Sequence, residues 1–167
     1  MAARCSAAQE AGVVTMVGFN FLRNPMIRLT RELLEAGEIG EIVSFRGRHA
    51  ENYMADPDFP HSFRTDADGG GALADIGSHI ISMARYLLGQ ITQATGQCRT
   101  IHKTHPIASG SAEHSPVLVD DVTFALVEFE SGAVGTIEAN WVASGRTMDL
   151  SWEITEPKPL WRSAKNA

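Results

Sequence analysis

Apolar residues change period along this chain, and each change marks an element. Ala2 to Ala11 is alanine-rich, with Gln9 and Glu10, and Gly12 stands where a helix would end. Val13-Val14-Thr15-Met16-Val17 is a β-branched apolar run of strand length. Asn24-Pro25 pairs a capping side chain with a proline at the first helical position, and Leu29, Leu33 and Leu34 lead to a stop at Gly37. From Glu41 to His49 the pattern alternates: Val43 and Phe45 face one way, Ser44, Arg46 and Arg48 the other, as in a half-exposed strand. Residues 51–71, with Pro57, Pro60 and Gly69-Gly70-Gly71, read as a long loop. Leu73, Ile76, Ile80, Met83, Ala84, Leu87 and Leu88 then recur at helical steps, predicting a helix from Ala72 to a stop at Gly89.

The remainder is strand-like. Ile91–Ile101, Val122–Phe129, Ala133–Val142 and Met148–Ile154 carry the pattern, and Glu130-Ser131-Gly132 makes a tight hairpin turn. Apolar residues stand on both faces of Val122–Phe129. Residues 102–119, with His102, His105, His114 and two prolines, read as another loop. The expected fold is α+β: an open, mostly antiparallel sheet with helices covering one face.

Composition narrows the function classes. The chain has 167 residues, 44% hydrophobic and 20% charged, a profile of an ordinary globular chain rather than a disordered one. Fourteen Lys plus Arg against 20 Asp plus Glu leave a formal charge of −6, which argues against nucleic acid as a partner. No stretch approaches the roughly 20 apolar residues of a membrane-spanning helix, so no membrane partner is expected. The opening MAARCSAAQEAGVV has no continuous apolar run and does not read as a secretory signal. Cys5 and Cys98 form no CxxC and read as free thiols, so the expected location is cytoplasmic.

The chemistry concentrates in Gly69-Gly70-Gly71-Ala72-Leu73-Ala74-Asp75-Ile76-Gly77-Ser78-His79. Three glycines at a helix entry offer backbone N–H groups and a close approach for a ligand. Asp75 and His79, four apart, fall on one helix face, about 6 Å of rise from each other. A carboxylate one turn from an imidazole can fix its tautomer and raise its basicity, which suits proton exchange near neutral pH. The competing reading is a surface ion pair, with the glycines a flexible turn. Gly77 in mid-helix lets another backbone or a flat ligand approach. His102, His105 and His114 lack a carboxylate or cysteine at a spacing that would complete a metal site, so no metal is expected. Trp141, Trp152 and Trp161 read as sheet or interface anchors.

Together, Val17-Gly18-Phe19-Asn20-Phe21-Leu22-Arg23-Asn24-Pro25, Gly37-Glu38-Ile39-Gly40, Phe63-Arg64, Gly69 to His79 and Leu87-Leu88-Gly89 resemble the Gfo/Idh/MocA oxidoreductases, from about Ala2 to about Ile154. The resemblance implies the family's second domain, an open-sheet unit like the C-terminal domain of dihydrodipicolinate reductase, over residues 20–155. Residues 1–19 would be the last helix and strand of a dinucleotide-binding domain, and residues 156–167 an irregular tail. It implies His79 as catalytic acid/base with Asp75 as its partner in the D-x-G-x-H motif. Asn20, Arg23 and Asn24 are assigned to the cofactor, NAD or NADP, and Arg64 and Ser82 to a sugar or polyol substrate. For Arg23 and Asn24, solvated charge and helix capping stand as the alternative, and for Arg64 a surface charge.

Three departures accompany the resemblance. The family's lysine in a Glu-Lys-Pro motif and the GxGxxG fingerprint have no counterpart in this sequence. Ser82 stands where the family usually has Asp. Glu156-Pro157-Lys158-Pro159 replaces a Gly-Lys-Gly turn. The expected function is therefore the substrate-binding and catalytic half of an NAD(P)-dependent dehydrogenase, inactive by itself, with a homo-oligomer formed through the open sheet. The alternatives are a non-enzymatic oligomerisation or partner-binding domain and, ranked last, a metal-dependent hydrolase or isomerase.

Overall fold

The computed structural model describes residues 2–68 and 70–157. Helix α1 (Ala2–Glu10) ends as its composition predicts, with Gly12 at φ 64° and the Val13 N–H returning to the Ala8 carbonyl. Residues 13–17 do not form the expected strand. Val14 is 98% and Met16 86% exposed, and no strand among the described residues lies beside them. β-propensity alone does not make a strand, because its backbone groups need a ladder partner.

A 3-10 turn (Asn20–Arg23) leads into α2 (Pro25–Glu35), where the Met26 N–H donates to the Asn24 side chain at 2.9 Å. The predicted cap is therefore present, with Pro25 at the first helical position.

Five strands form the main sheet: β1 (Ser44–Ala50), β2 (Ile91–Arg99), β5 (Val122–Phe129), β6 (Val134–Asn140) and β7 (Asp149–Thr155). Their order is β2-β5-β6-β1-β7. Only the β1–β6 pair is parallel; β2–β5, β5–β6 and β1–β7 are antiparallel. The β5–β6 hairpin closes through Gly132 at φ 87°, as the turn residues predict. Residues 102–119 are not wholly loop. Thr104–Pro106 (β3) pairs antiparallel with His114–Pro116 (β4). Proline is tolerated in such a ribbon because its missing N–H costs no ladder bond on an outer edge.

Alternation decides which side chains face the helices. Phe45, Gly47 and His49 of β1, Thr123, Val127 and Phe129 of β5, and Ile137 and Ala139 of β6 are buried on that side. Against them lies α3 (Ser78–Leu88), whose Ile80, Met83, Ala84 and Leu87 join the core with Phe45, Phe129 and Ile27. Two glycines seat this helix. A Cβ at Gly47 would stand 2.6 Å from Ile80 Cγ1, and one at Gly77 would stand 3.0 Å from Ala139 Cβ. The close approach at Gly77 is thus made by strand β6, not by a flat ligand.

The predicted helix from Ala72 is in fact composite. Leu73–Gly77 forms a π turn, and α3 proper begins at Ser78. A π turn admits one extra residue, which rotates the residues after it by about 100° without breaking the apolar pattern. Spacing alone could not reveal it.

A second cluster, Met54, Ala72, Ile76, Ala139 and Trp141, closes the end of the sheet below this turn. Trp141 is fully buried, and its Nε1–H donates to Asp121 Oδ1 at 2.7 Å. The other Asp121 oxygen accepts from the Ile101 and His102 N–H groups at 2.6 and 3.0 Å. Asp120 holds the start of the π turn: its carbonyl accepts from the Ala72 N–H, and its carboxylate from the Leu73 N–H and the Thr123 hydroxyl. Trp152 packs against the main core; Trp161, Gly69 and residues 158–167 lie outside the described residues.

Candidate active site

His79, the second residue of α3, lies where three elements meet. Its ring packs edge-on against Phe21 at 4.9 Å and Phe19 at 5.6 Å, from the 3-10 turn and the residue before it. His49, at the inward-facing end of β1, stands 5.9 Å away, centroid to centroid. The Nδ1 atom of His79 is enclosed with no hydrogen-bond partner among the described residues. Of the two ring nitrogens, Nδ1 is therefore the one shut off from solvent. Burial lowers the His79 pKa from its ordinary 6.5, and His49 lowers it further; Asp75 and Glu51 act in the opposite sense. The net effect favours a neutral imidazole, the form that can accept a proton.

Asp75 lies in the π turn, but its hydrogen bonds do not go to His79. The carboxylate accepts from Tyr53 Oη at 3.1 Å and from Arg64 Nε at 2.9 Å. The expected hydrogen bond by which Asp75 would fix the His79 tautomer does not form among the described residues: Asp75 bears on His79 through its charge, while its Oδ2 serves the loop. The wide turn is the physical reason, since the one-face argument assumed a regular α-helix. Tyr53 is held protonated far above its ordinary range, first by burial and then by the Asp75 carboxylate. The Arg64 guanidinium lies over the Phe63 ring at 4.6 Å and the Tyr53 ring at 5.5 Å. Its side chain remains 38% exposed, so it presents a fork of donors outward beside Asp75.

Gly70 and Gly71 do not offer free N–H groups. The Gly70 N–H donates to the Asp66 carbonyl at 3.0 Å and the Gly71 N–H to the Arg64 carbonyl at 2.8 Å. A Cβ at Gly70 would fall 1.9 Å from the Arg64 carbonyl oxygen, and Gly71 has φ 103°. These two residues are glycine so that the Arg64 loop can press against the π turn. They do not fit a pyrophosphate.

The other sequence-assigned residues divide. Asn20, Arg23 and Asn24 are exposed along the 3-10 turn that carries Phe21 to His79, and the Asn24 side chain caps α2. Ser82 is not gathered with Asp75 and Arg64; it lines a shallow groove beside α3 with Phe19, Leu22 and Tyr86. His102 and His105 stand 5.5 Å apart, while His114 Nδ1 lies 3.2 Å from the Ala112 carbonyl. Among the described residues no three His, Cys, Asp or Glu side chains gather as metal ligands.

Sequence reasoning missed His49, Glu51, Tyr53, Phe19 and Phe21. Their signal was present for His49. It continues the inward register of Phe45 and Gly47, where a polar residue must find partners.

The model of the GFO/IDH/MocA C-terminal domain matches residues 27–156. Levoglucosan dehydrogenase of Pseudarthrobacter phenanthrenivorans is 37% identical over 161 residues, covering 89% of this chain and 41% of that protein. A scyllo-inositol 2-dehydrogenase (NAD(+)) of Bacillus subtilis is 30% identical over 134 residues, 79% of this chain and 35% of its own length. Among solved structures, levoglucosan dehydrogenase in complex with NADH and L-sorbose superposes with a TM-score of 0.84 at 37% identity, over 91% of this chain and 41% of the other. The chain thus spans about two-fifths of the length of the first of these relatives.

Proposed function

This chain belongs to the GFO/IDH/MocA family of oxidoreductases, and from that premise we propose that it forms the substrate-binding and proton-transferring side of an NAD(P)-dependent dehydrogenase for a sugar or polyol. The carrying observation is a neutral-leaning His79, walled by Phe19 and Phe21 and set beside the Asp75–Tyr53–Arg64 group. Hydroxyl-rich ligands suit such a wall, since Arg64 donates, Asp75 accepts, and aromatic faces cover the ring carbons.

When bound, the nicotinamide supplies the hydride acceptor. The residues here do the rest. Arg64 and Asp75 hold the neighbouring hydroxyls, and His79 Nε2 takes the proton of the reacting hydroxyl as its carbon becomes a carbonyl. In the reverse direction the same nitrogen returns the proton. Asn20, Arg23 and Asn24, exposed along the 3-10 turn, are assigned to the cofactor, and Ser82 would meet the substrate only from the flank of α3. Residues 1–19 are read as the end of the dinucleotide-binding unit, residues 20–155 as the substrate domain and residues 156–167 as a tail. Nucleotide binding is assigned mainly to residues outside these 167, because Gly70 and Gly71 are spent on the Arg64 loop.

The test uses the purified chain and a panel containing levoglucosan, L-sorbose and scyllo-inositol. Expected are shifts of the His79 and Arg64 side-chain NMR signals at millimolar sugar, and no reduction of NAD or NADP. Absence of any shift would remove the substrate assignment; steady cofactor reduction would overturn the division of labour between domains.

A homo-oligomer through the bare face of the sheet is a compatible second proposal. It is supported by Phe124, Leu126 and Val134, each more than half exposed there.

A further inference from the structure

His49 is 1% exposed, and both of its ring nitrogens face acceptors. Nδ1 lies 2.9 Å from the Ile76 carbonyl in the π turn, and Nε2 lies 2.9 Å from Glu51 Oε1. A carbonyl oxygen can only accept, so Nδ1 must carry a hydrogen. The Nε2–Oε1 contact then needs a proton of its own, because an imidazole lone pair does not face a carboxylate at this distance without one. His49 and Glu51 therefore hold one proton between them, and the favoured placement is imidazolium against carboxylate. In that arrangement the positive ring is the member of the pair that stands 5.9 Å from His79.

We infer that the His49–Glu51 pair is a positioning device for the acid/base residue. It pins the π turn through Ile76 and presents a fixed positive charge that keeps His79 in its neutral, proton-accepting form. The charged and titratable groups bearing on His79 are few. Among the described residues they are His49 from β1, Glu51 just beyond its end, and Asp75 from the π turn; the 3-10 turn contributes the Phe21 ring and the residue before it the Phe19 ring. Tyr53 and Arg64 bear on Asp75. A positive ring nearby opposes a second positive ring, and the burial of both strengthens that opposition. The direction of the His79 shift agrees, with His49 the largest influence after burial.

This rests on the reading of His79 as a proton acceptor, but its test needs neither cofactor nor substrate. The two readings can therefore fail separately. The experiment is a pH titration of the whole chain with 15N-labelled histidine, read by NMR. Both His49 ring nitrogens should be protonated at neutral pH. In His49→Gln the midpoint of His79 should rise, by on the order of half a pH unit or more, since the opposing charge is lost and Glu51 is left unpaired. Glu51→Gln, which lets His49 become neutral while keeping its ring in place, should raise the midpoint by less. Asp75→Asn should lower it, since Asp75 acts in the opposite sense.

A His49 ring with one protonated nitrogen at neutral pH would overturn the proposal. So would a His79 midpoint that stays put or falls in both His49→Gln and Glu51→Gln. Should His49→Gln fail to fold, Glu51→Gln carries the decision alone, its fold checked by the near-ultraviolet circular dichroism of Trp141.

Discussion

The two faces of the sheet are built from the same strands yet answer to different constraints. On β5, Val127 and Phe129 are buried against α3, while Phe124 and Leu126, one step out of register, are 53% and 60% exposed. Hydrophobicity is similar on both sides; only the cover differs. On the covered side the buried polar side chains of the strands, His49 and Thr123, have hydrogen-bond partners. On the bare side apolar side chains alternate with Arg46, Thr136 and Glu138 and are left exposed among the described residues. Apolar content therefore tells where a surface can be buried. It does not tell by what.

The contrast can be broken first at its strongest point. Phe129→Ala, on the covered face, should cost roughly 3–5 kcal/mol of stability by opening a cavity among Phe45, Ala133 and α3, seen as a lower denaturant midpoint.

A smaller effect comes from acid. His79 and His105 both have pKa values lowered from 6.5, chiefly by burial. The unfolded chain then binds more protons than the folded one below about 6.5, so stability falls as pH drops through that value and is fully kept above it. Thermal unfolding followed from pH 7 to 5 should show this loss. His105→Leu should blunt it, because His105 is fully buried and its burial disfavours the protonated ring. An unchanged pH slope in that variant would count against the assignment.

The smallest change in stability should come from the bare face. Leu126→Lys should move the unfolding midpoint by no more than about 0.5 kcal/mol, yet abolish the self-association proposed for that face, as read by light scattering.

Much of this architecture was legible from side-chain periods. The β1, β5 and β6 strands, the hairpin at residues 130–132, the Asn24 cap and the apolar stripe of α3 follow from local rules of alternation, capping and helical spacing. What was not legible depends on partners distant in sequence. The β3–β4 ribbon was hidden by its prolines. The run at residues 13–17 has the composition of a strand, but pairing is a property of two segments. The glycines before Asp75 look like a ligand cradle until the Arg64 and Asp66 carbonyls claim their N–H groups. The Asp75 charge does bear on His79, yet their relation required knowing that the turn between them is wide. His49 was readable as inward-facing, but nothing in its neighbours announced that Glu51 and Ile76 would take both its nitrogens.

Asp121 gathers the N–H groups of residues 101 and 102 and the indole of residue 141, while its neighbour Asp120 secures residues 72 and 73. The consequence is one of timing. During synthesis the segment bearing His79 leaves the ribosome before the residues that secure it, and it cannot take its final shape until Asp120, Asp121 and Trp141 have followed. A ribosome-stalled chain that stops short of the indole would carry every residue of the pocket and still lack the pocket.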